Sequence, residues 1–260
     1  MRIEPFLEEI LKAGEFAYSS QETVARGIKS DGTVITEVDL EINRRISLCI
    51  KERYPDANLI TEEAVDDFDP KKEYTFVLDP LDGTDVYSQG MPGWCIALGL
   101  LRNLEPVAGI IYAPSWGPKN GNLLFTDVDG PVYHNGTELH FRKEEKESMH
   151  ILIPSSIHRD YSYSDFPGKI RNTGSSIVSL SGLIFHDSVN GVIINRGYIW
   201  DMAASDAVIR KCGFLPEYLC GGKIDYSELT DRSRQNDYVV CGLPSVVSEI
   251  RKNFKRKRNG

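Results

Sequence analysis

The sequence predicts a mixed fold that passes from α+β to α/β: N-terminal helices packed with an antiparallel sheet, then a C-terminal α/β half with a mixed sheet. Three observations carry this prediction. Apolar residues at the start of the chain recur at helical spacing. The stretch after Tyr54-Pro55 breaks into short apolar runs punctuated by turn residues. From about residue 150, runs of strand length and helix length alternate. At 260 residues the chain has material for one large domain or two small ones.

Taken in order, Leu7, Ile10, Leu11 and Gly14 share a helical face. Ile42, Ile46, Cys49 and Ile50 do the same after Thr36-x-x-Asp39, which has the spacing of a capping box. Between these helices Lys29-Ser30-Asp31-Gly32-Thr33 reads as a loop or a hairpin tip. Strands are predicted over residues 58–61, 74–78, 95–101, 106–112, 123–125 and 132–133, the last two followed by Asp129-Gly130 and Asn135-Gly136 turns. The second half reads as strand 151–153, helix 177–185, strand 191–194, helix 202–212, strand 238–241 and helix 246–254, with 158–166 as a long irregular loop. A charged run at 143–149 (KEEKESM) suggests a division into an N-terminal α+β subdomain over 1–146, a C-terminal α/β subdomain over 147–254, and a basic tail, 255–260, expected to be frayed and solvated.

Composition narrows the function. Apolar residues at 41% and charged residues at 26% exclude a disordered or collagen-like chain. The longest apolar run, WCIALGLL at 94–101, falls far short of the roughly 18–20 residues of a membrane helix. Glu4, Glu8, Glu9 and Glu15 interrupt the stretch where a secretory signal needs an apolar core, and the five cysteines contain no CxxC pair, so a reducing cytoplasm is the expected location. Net charge is −8, yet the last ten residues hold six Lys/Arg and no acid, which leaves residues 1–250 at −14. An acidic body disfavours nucleic acid and membrane partners and suits a protein that gathers cations.

Carboxylates stand where apolar runs end. Thr61-Glu62-Glu63 closes one run, and Phe76-Val77-Leu78 leads into Asp79-Pro80-Leu81-Asp82-Gly83-Thr84. Acids brought together repel and rise in pKa unless a hard cation such as Mg²⁺ compensates. Gly83 permits a tight turn after which the Gly83 and Thr84 amides could face an anion. Taken singly, each piece has a plainer explanation: Asp-Gly is a common turn, Asp201 before an apolar helix reads as an N-cap, and Gly174-Ser175 reads first as a cap and second as a polar lining. The five histidines lack ligand spacing and carry no assigned role.

The set in order resembles the inositol monophosphatase family of Mg²⁺-dependent, lithium-sensitive phosphatases. The pieces are Lys29 to Thr33 with Thr36 and Asp39, Glu62-Glu63, DPLDGT at 79–84, Gly174-Ser175, and WDMAA at 200–204, and the resemblance spans residues 5–254. It implies a layered αβαβα sandwich and a phosphomonoesterase that hydrolyses a small phosphorylated metabolite by attack of a Mg²⁺-activated water. One Mg²⁺ would be held by Glu62, Asp79 and the Leu81 carbonyl, a second by Asp79, Asp82 and Asp201, and a looser third through water on Glu62. Thr84 and Asp39 match the pair that orients and helps deprotonate the water. Gly83 and Thr84 match the phosphate cradle, with Gly174 and Ser175 beside the substrate. Li⁺ is an expected inhibitor and a homodimer the expected assembly. Inositol-binding members carry a glutamate seven residues before the WD aspartate, and here that position is Ile194. The expected substrates are therefore a sugar, another polyol or histidinol phosphate, with a 3′-phosphonucleotide as the alternative.

Two rival readings are weaker. Leu123 to Gly130 resembles the strand and DxDG motif of haloacid dehalogenase-like enzymes, but it sits mid-chain between turn signals and a hairpin explains it. A non-catalytic protein keeping only the fold would be expected to lose a metal carboxylate, and Glu62, Asp79, Asp82 and Asp201 are all present.

Overall fold

The computed structural model describes residues 1–29, 32–118, 121–141, 144 and 149–257. Helix α1 (Leu7–Ser20) buries Ile10, Ala13, Gly14 and Ala17, and α2 (Glu37–Arg53) buries Ile42, Ile46 and Ile50, so the periodicity in the sequence is the core face of each helix. Gly27–Ile28 pairs antiparallel with Val34–Ile35 and makes the expected hairpin. Ser30 and Asp31 lie outside the described residues.

A seven-stranded sheet follows: β1 (Asn58–Thr61), β2 (Tyr74–Asp82), β3 (Cys95–Arg102), β4 (Glu105–Ala113), β5 (Asn122–Thr126), β6 (Val132–His134) and β7 (Thr137–Glu138), in that spatial order. Its antiparallel character ends at one edge, because β1 runs parallel to β2 with Thr61 opposite Leu78. The chain between them returns to the starting end, so the carboxyl ends of both strands meet at one rim. Glu62 thereby reaches the end of β2, and its amide donates to the Leu78 carbonyl at 3.3 Å. Turn chemistry along the sequence cannot show this. The β5–β6 turn at 127–130 is a plain hairpin, as expected, and the Asp127 carboxylate accepts from the Ile3 amide at 3.2 Å.

The second sheet holds β8 (His150–Leu152), β9 (Lys169–Arg171), β10 (Val189–Ile194), β11 (Glu217–Tyr218) and β12 (Val239–Gly242) in the order β9-β8-β10-β12-β11. It is mixed, with β8 parallel to β9 and β10 and with β12 antiparallel to β10 and β11. Helices α4 (Ser176–Phe185) and α5 (Ala203–Lys211) lie between the sheets, and α6 (Pro244–Asn253) covers the outer face of the second. Alternation along β2 shows the layering. Phe76 and Leu78 join the core under α1 and α2, whereas Val77 joins the core shared with Ile177 of α4 and Val208 of α5. The expected αβαβα sandwich results. Its central layer explains the Ala pair of WDMAA: a Cβ on Gly99 of β3 would come within 2.9 Å of the Ala204 amide, so only small residues let α5 settle on the sheet.

Two expectations are corrected. Within 158–166, Ser155–Arg159 forms a 3₁₀ turn that begins just before the stretch, and Tyr161–Ser162 pairs with Lys255–Arg256. The first three residues of the tail are therefore docked, anchored by Phe254 stacking on Tyr163 at 5.2 Å and by the Lys257 amide donating to the Asp160 carbonyl at 2.7 Å. Residues 258–260 lie outside the described residues, as do 143 and 145–148, which hold the expected subdomain boundary. Among the described residues no helix is long and apolar enough to cross a membrane.

Candidate active site

Strand β2 delivers two carboxylates. Its pairing with β3 is irregular between Asp79 and Asp82, a segment that includes Pro80, which has no amide to donate. The chain then leaves the sheet at Gly83, whose φ of 94° favours glycine and where a Cβ would lie 2.7 Å from the Gly93 carbonyl oxygen. A short helix, α3 (Thr84–Tyr87), follows.

Asp82 is held from across the molecule. Its Oδ2 accepts from the Ser175 hydroxyl at 2.5 Å and from the Ile177 amide at 2.6 Å, at the N-terminus of α4. Ser175 Oγ in turn accepts from the Val178 amide at 2.9 Å as the α4 N-cap, so this hydroxyl is engaged as cap and as carboxylate anchor at once. Asp201 departs from the cap reading. Helix α5 begins at Ala203 with Met202 as its N-cap residue, while Asp201 Oδ2 accepts from the Tyr198 amide at 2.5 Å. The absence of a side chain at Gly197 leaves room for that carboxylate.

Asp79, Asp82 and Asp201 each bring a carboxylate oxygen within 4.8 Å of the others. Asp79 Oδ1 accepts from the Leu81 amide at 3.0 Å, whereas its buried Oδ2 has no partner among the described residues. Glu62 stands beside this trio and pairs with Lys29, whose Nζ lies 2.8 Å from Glu62 and 2.7 Å from Glu63. Burial, reinforced by Glu62, Asp82 and Asp201, lifts Asp79 well above the usual carboxylate range. Burial and the neighbouring Asp82 push Asp201 up to about 8, and burial takes Glu62 to about 7 despite Lys29. Asp82 rises only to about 6, because the Ser175 hydroxyl and the Ile177, Ser176 and Gly83 amides oppose its burial. Such an all-oxygen set, with one orphaned oxygen and mutual repulsion, fits a hard divalent cation.

The sign of these shifts sets a pH dependence. Between the ordinary carboxylate values near 4 and the folded values of about 6 to 8, the folded chain binds more protons than the unfolded chain, so stability falls as pH rises. In EDTA the melting temperature is expected to drop from pH 5.5 to pH 8, and added Mg²⁺ to raise it more at pH 8, where the ligands are charged. A rise with pH in EDTA, followed by differential scanning fluorimetry, would contradict this account.

Beside the carboxylates, Thr84 Oγ1 lies 2.8 Å from Asp39 Oδ1 and 2.8 Å from the Leu81 carbonyl oxygen. Asp39 Oδ2 accepts from the Thr36 amide at 2.9 Å and the Thr36 hydroxyl at 2.5 Å, which completes the predicted capping box and fixes the ring of partners around Asp39. Burial raises the Asp39 pKa against these hydrogen bonds, making it a stronger base than a free carboxylate. The cleft beside this centre has a volume of about 480 Å³ and is lined by Glu62, Asp82, Asp201, Gly174, Ser175 and Ile194, among others. Ile194 pairs with Val239 without a register shift and is only 1% exposed, so this wall presents no hydroxyl acceptor at that position.

Sequence reasoning missed two groups. Lys29 lay within a stretch read as a loop and counted toward the family resemblance, with no role given to the lysine itself. Arg232 had no signal: it occupies φ 65°, strained for a residue with a side chain, and donates to the carbonyls of Thr61 (2.6 Å), Glu62 (2.8 Å) and Ala64 (2.8 Å) while stacking over Trp200 at 4.6 Å. It ties the Glu62 segment to the residue next to Asp201. Arg232→Ala is expected to raise the Mg²⁺ concentration for half-maximal thermal stabilisation by about tenfold or more, and Arg232→Lys to restore little, since only the planar fork reaches all these partners. An unchanged Mg²⁺ titration would show that the clamp does not position the ligands.

A family model described as the inositol monophosphatase family matches residues 7–249. The chain is 25% identical over 230 residues to a fructose-1,6-bisphosphatase/inositol-1-monophosphatase of Thermotoga maritima, covering 84% of this chain and 85% of that protein. It is 29% identical over 229 residues to the inositol-1-monophosphatase ImpA of Mycolicibacterium smegmatis, covering 82% and 80%. A solved IMPase/NADP phosphatase complexed with Mg²⁺ and phosphate superposes with a TM-score of 0.81 at 14% identity over 99% of this chain and 97% of that one, a likeness of fold.

Proposed function

The chain belongs to the inositol monophosphatase family of metal-dependent phosphatases, and on that premise we propose that it is a Mg²⁺-dependent phosphomonoesterase acting on a small phosphorylated metabolite: a sugar, polyol or histidinol phosphate. The observation that carries this reading is the convergence of Asp79, Asp82 and Asp201 next to the Thr84–Asp39 pair. Glu62, Asp79 and the Leu81 carbonyl would hold one ion, and Asp79, Asp82 and Asp201 another. When bound, Mg²⁺ supplies charge neutralisation for the phosphate and a lowered pKa for water.

The chain's own residues do the rest. With its proton directed to Asp39 Oδ1, Thr84 Oγ1 keeps a lone pair free to accept from the attacking water, so a proton leaving water for Thr84 is balanced by the hydroxyl proton passing to Asp39. Thr36 holds the far oxygen of that carboxylate and keeps Oδ1 aimed at Thr84. The Thr84 amide is assigned to the phosphate, and Gly83 supplies the turn that brings it there. Two or three ions, inhibition by Li⁺, a cytoplasmic location and a homodimer belong to the same proposal on the family resemblance.

The phosphonucleotide alternative meets an aromatic pair whose outer faces are taken: Tyr198 stacks on Trp200 with centroids 4.7 Å apart at 20°, and Arg234 and Arg232 lie over the two rings at 4.7 and 4.6 Å. A non-catalytic role is disfavoured by retention of every carboxylate.

Released phosphate measured over a panel of esters, with Mg²⁺ and with EDTA, tests the reading. Turnover should require Mg²⁺, and myo-inositol 1-phosphate should be about ten- to a hundredfold poorer in kcat/KM than the best ester, the worth of the hydrogen bond that Ile194 cannot make. Turnover in EDTA would overturn the metal assignment, and inositol phosphate as the best substrate would overturn the reading of Ile194.

A further inference from the structure

Part of the cleft wall comes from a stretch of chain that burial does not fix. Ser155, Ser156, Arg159 and Asp160 line the cleft together with the acidic centre. They belong to the 3₁₀ turn Ser155–Arg159 and the residue after it. Ile157 and Tyr161 are buried, but His158, Arg159 and Asp160 between them are exposed. Exposed backbone keeps its place through hydrogen bonds, since it has few apolar contacts to lose on opening. Here the bonds from outside the turn come from the far end of the sequence. The Lys257 amide donates to the Asp160 carbonyl at 2.7 Å, and the Lys257 ammonium donates to the His158 carbonyl at 2.6 Å. One residue thereby grips the carbonyls on both sides of Arg159.

Lys257 is brought there by its own neighbours. Phe254 is buried, stacks on Tyr163 and meets Phe166 at 5.7 Å and 66°, and Lys255–Arg256 then pairs with Tyr161–Ser162. Neither strand of this ribbon pairs with another among the described residues, and a two-stranded ribbon is marginal alone, so tail and wall hold each other. Side chains tie the same wall to the cleft: Asp160 Oδ2 accepts from the Tyr238 hydroxyl at 2.8 Å, and the Ser156 hydroxyl donates to Asn195 Oδ1, beside Ile194, at 2.9 Å. The metal carboxylates are held separately, by Leu81, Ser175 and Tyr198. We propose that Lys257 is a positioning residue for substrate affinity: it fixes Arg159 and Asp160 as the wall that seats the alcohol part of the ester, while the phosphate occupies the carboxylate centre. This inference rests on the phosphatase reading above and deepens it, because it separates an element that holds the leaving group from those that hold the metal.

Lys257→Pro tests it in the full chain, because proline lacks both the amide hydrogen and the ammonium. With the best of glucose 1-phosphate, sorbitol 6-phosphate and histidinol phosphate as the probe, KM should rise about tenfold while kcat stays within about threefold of the parental value. The inhibition constant of inorganic phosphate, which has no alcohol part, should not change, nor should the Mg²⁺ concentration for half-maximal thermal stabilisation. Lys257→Arg keeps the amide and a cationic donor and should restore the parental KM within about twofold. Hydrogen exchange should quicken over residues 158–162 in Lys257→Pro and not in Lys257→Arg. Faster exchange with an unchanged KM, in an enzyme that turns over with Mg²⁺, would overturn the role of Lys257 and leave the phosphatase reading intact. A fall in kcat with a raised Mg²⁺ requirement, or an inhibition constant for phosphate that rises as far as KM, would overturn it too, by placing the effect at the metal centre. Absence of Mg²⁺-dependent phosphate release from every ester by the parental protein would overturn the phosphatase reading and this inference with it.

Discussion

Asp79→Asn is expected to lower Mg²⁺-dependent turnover by at least about a thousandfold while raising the melting temperature measured in EDTA. Both effects have one cause. Asp79 is 1% exposed, its Oδ2 has no partner, and Glu62, Asp82 and Asp201 press their charge on it. Replacing the carboxylate by an isosteric amide removes a buried charge, which stabilises the metal-free fold, and removes a ligand common to both expected ions. The stabilisation that Mg²⁺ confers on the parent protein should largely vanish. Asp82→Asn should lose comparable activity with a smaller thermal gain, because Ser175 and the α4 amides already compensate that charge. Asp201→Ser, which keeps an oxygen suited to capping, should also lose activity, since α5 does not use Asp201 as its cap. Near-parental turnover in Asp79→Asn would remove the carboxylate centre from the reaction.

Thr84→Val is expected to lower kcat by roughly a hundred- to ten-thousandfold, the range for a lost proton-transfer group, with the Mg²⁺ requirement for thermal stabilisation little changed. The substitution keeps the volume of the side chain and removes the hydroxyl that donates to Asp39 Oδ1. Thr84→Ser should recover most of the loss. The combination separates proton handling from metal binding: a fall in Mg²⁺ affinity equal to the fall in kcat would place Thr84 with the ligands instead. Asp39→Asn tests the same relay from its other end, though it also touches the start of α2, where loss of the box with Thr36 costs about 1 kcal/mol.

Much of this was legible in the chain itself. The period of apolar residues specified α1, α2 and the central strands, the Thr36/Asp39 spacing specified a capping box that is present, and the acids at strand ends pointed to an oxygen-ligated cation. These are properties of neighbours in sequence, and local backbone geometry reads them directly. Residue types alone left Asp201 divided between cap and ligand and left Ser175 divided between cap and lining. The tertiary structure frees Asp201 from the helix and gives the single Ser175 hydroxyl two partners. It also turns β1 parallel to β2, so that Glu62 reaches the end of the strand that carries Asp79. Arg232 bonds to Thr61 from 171 positions away. No periodicity records such meetings: a periodic pattern reports which side of its own element a residue faces, whereas charge compensation depends on which elements the packing of two sheets and their shared helices brings to one rim.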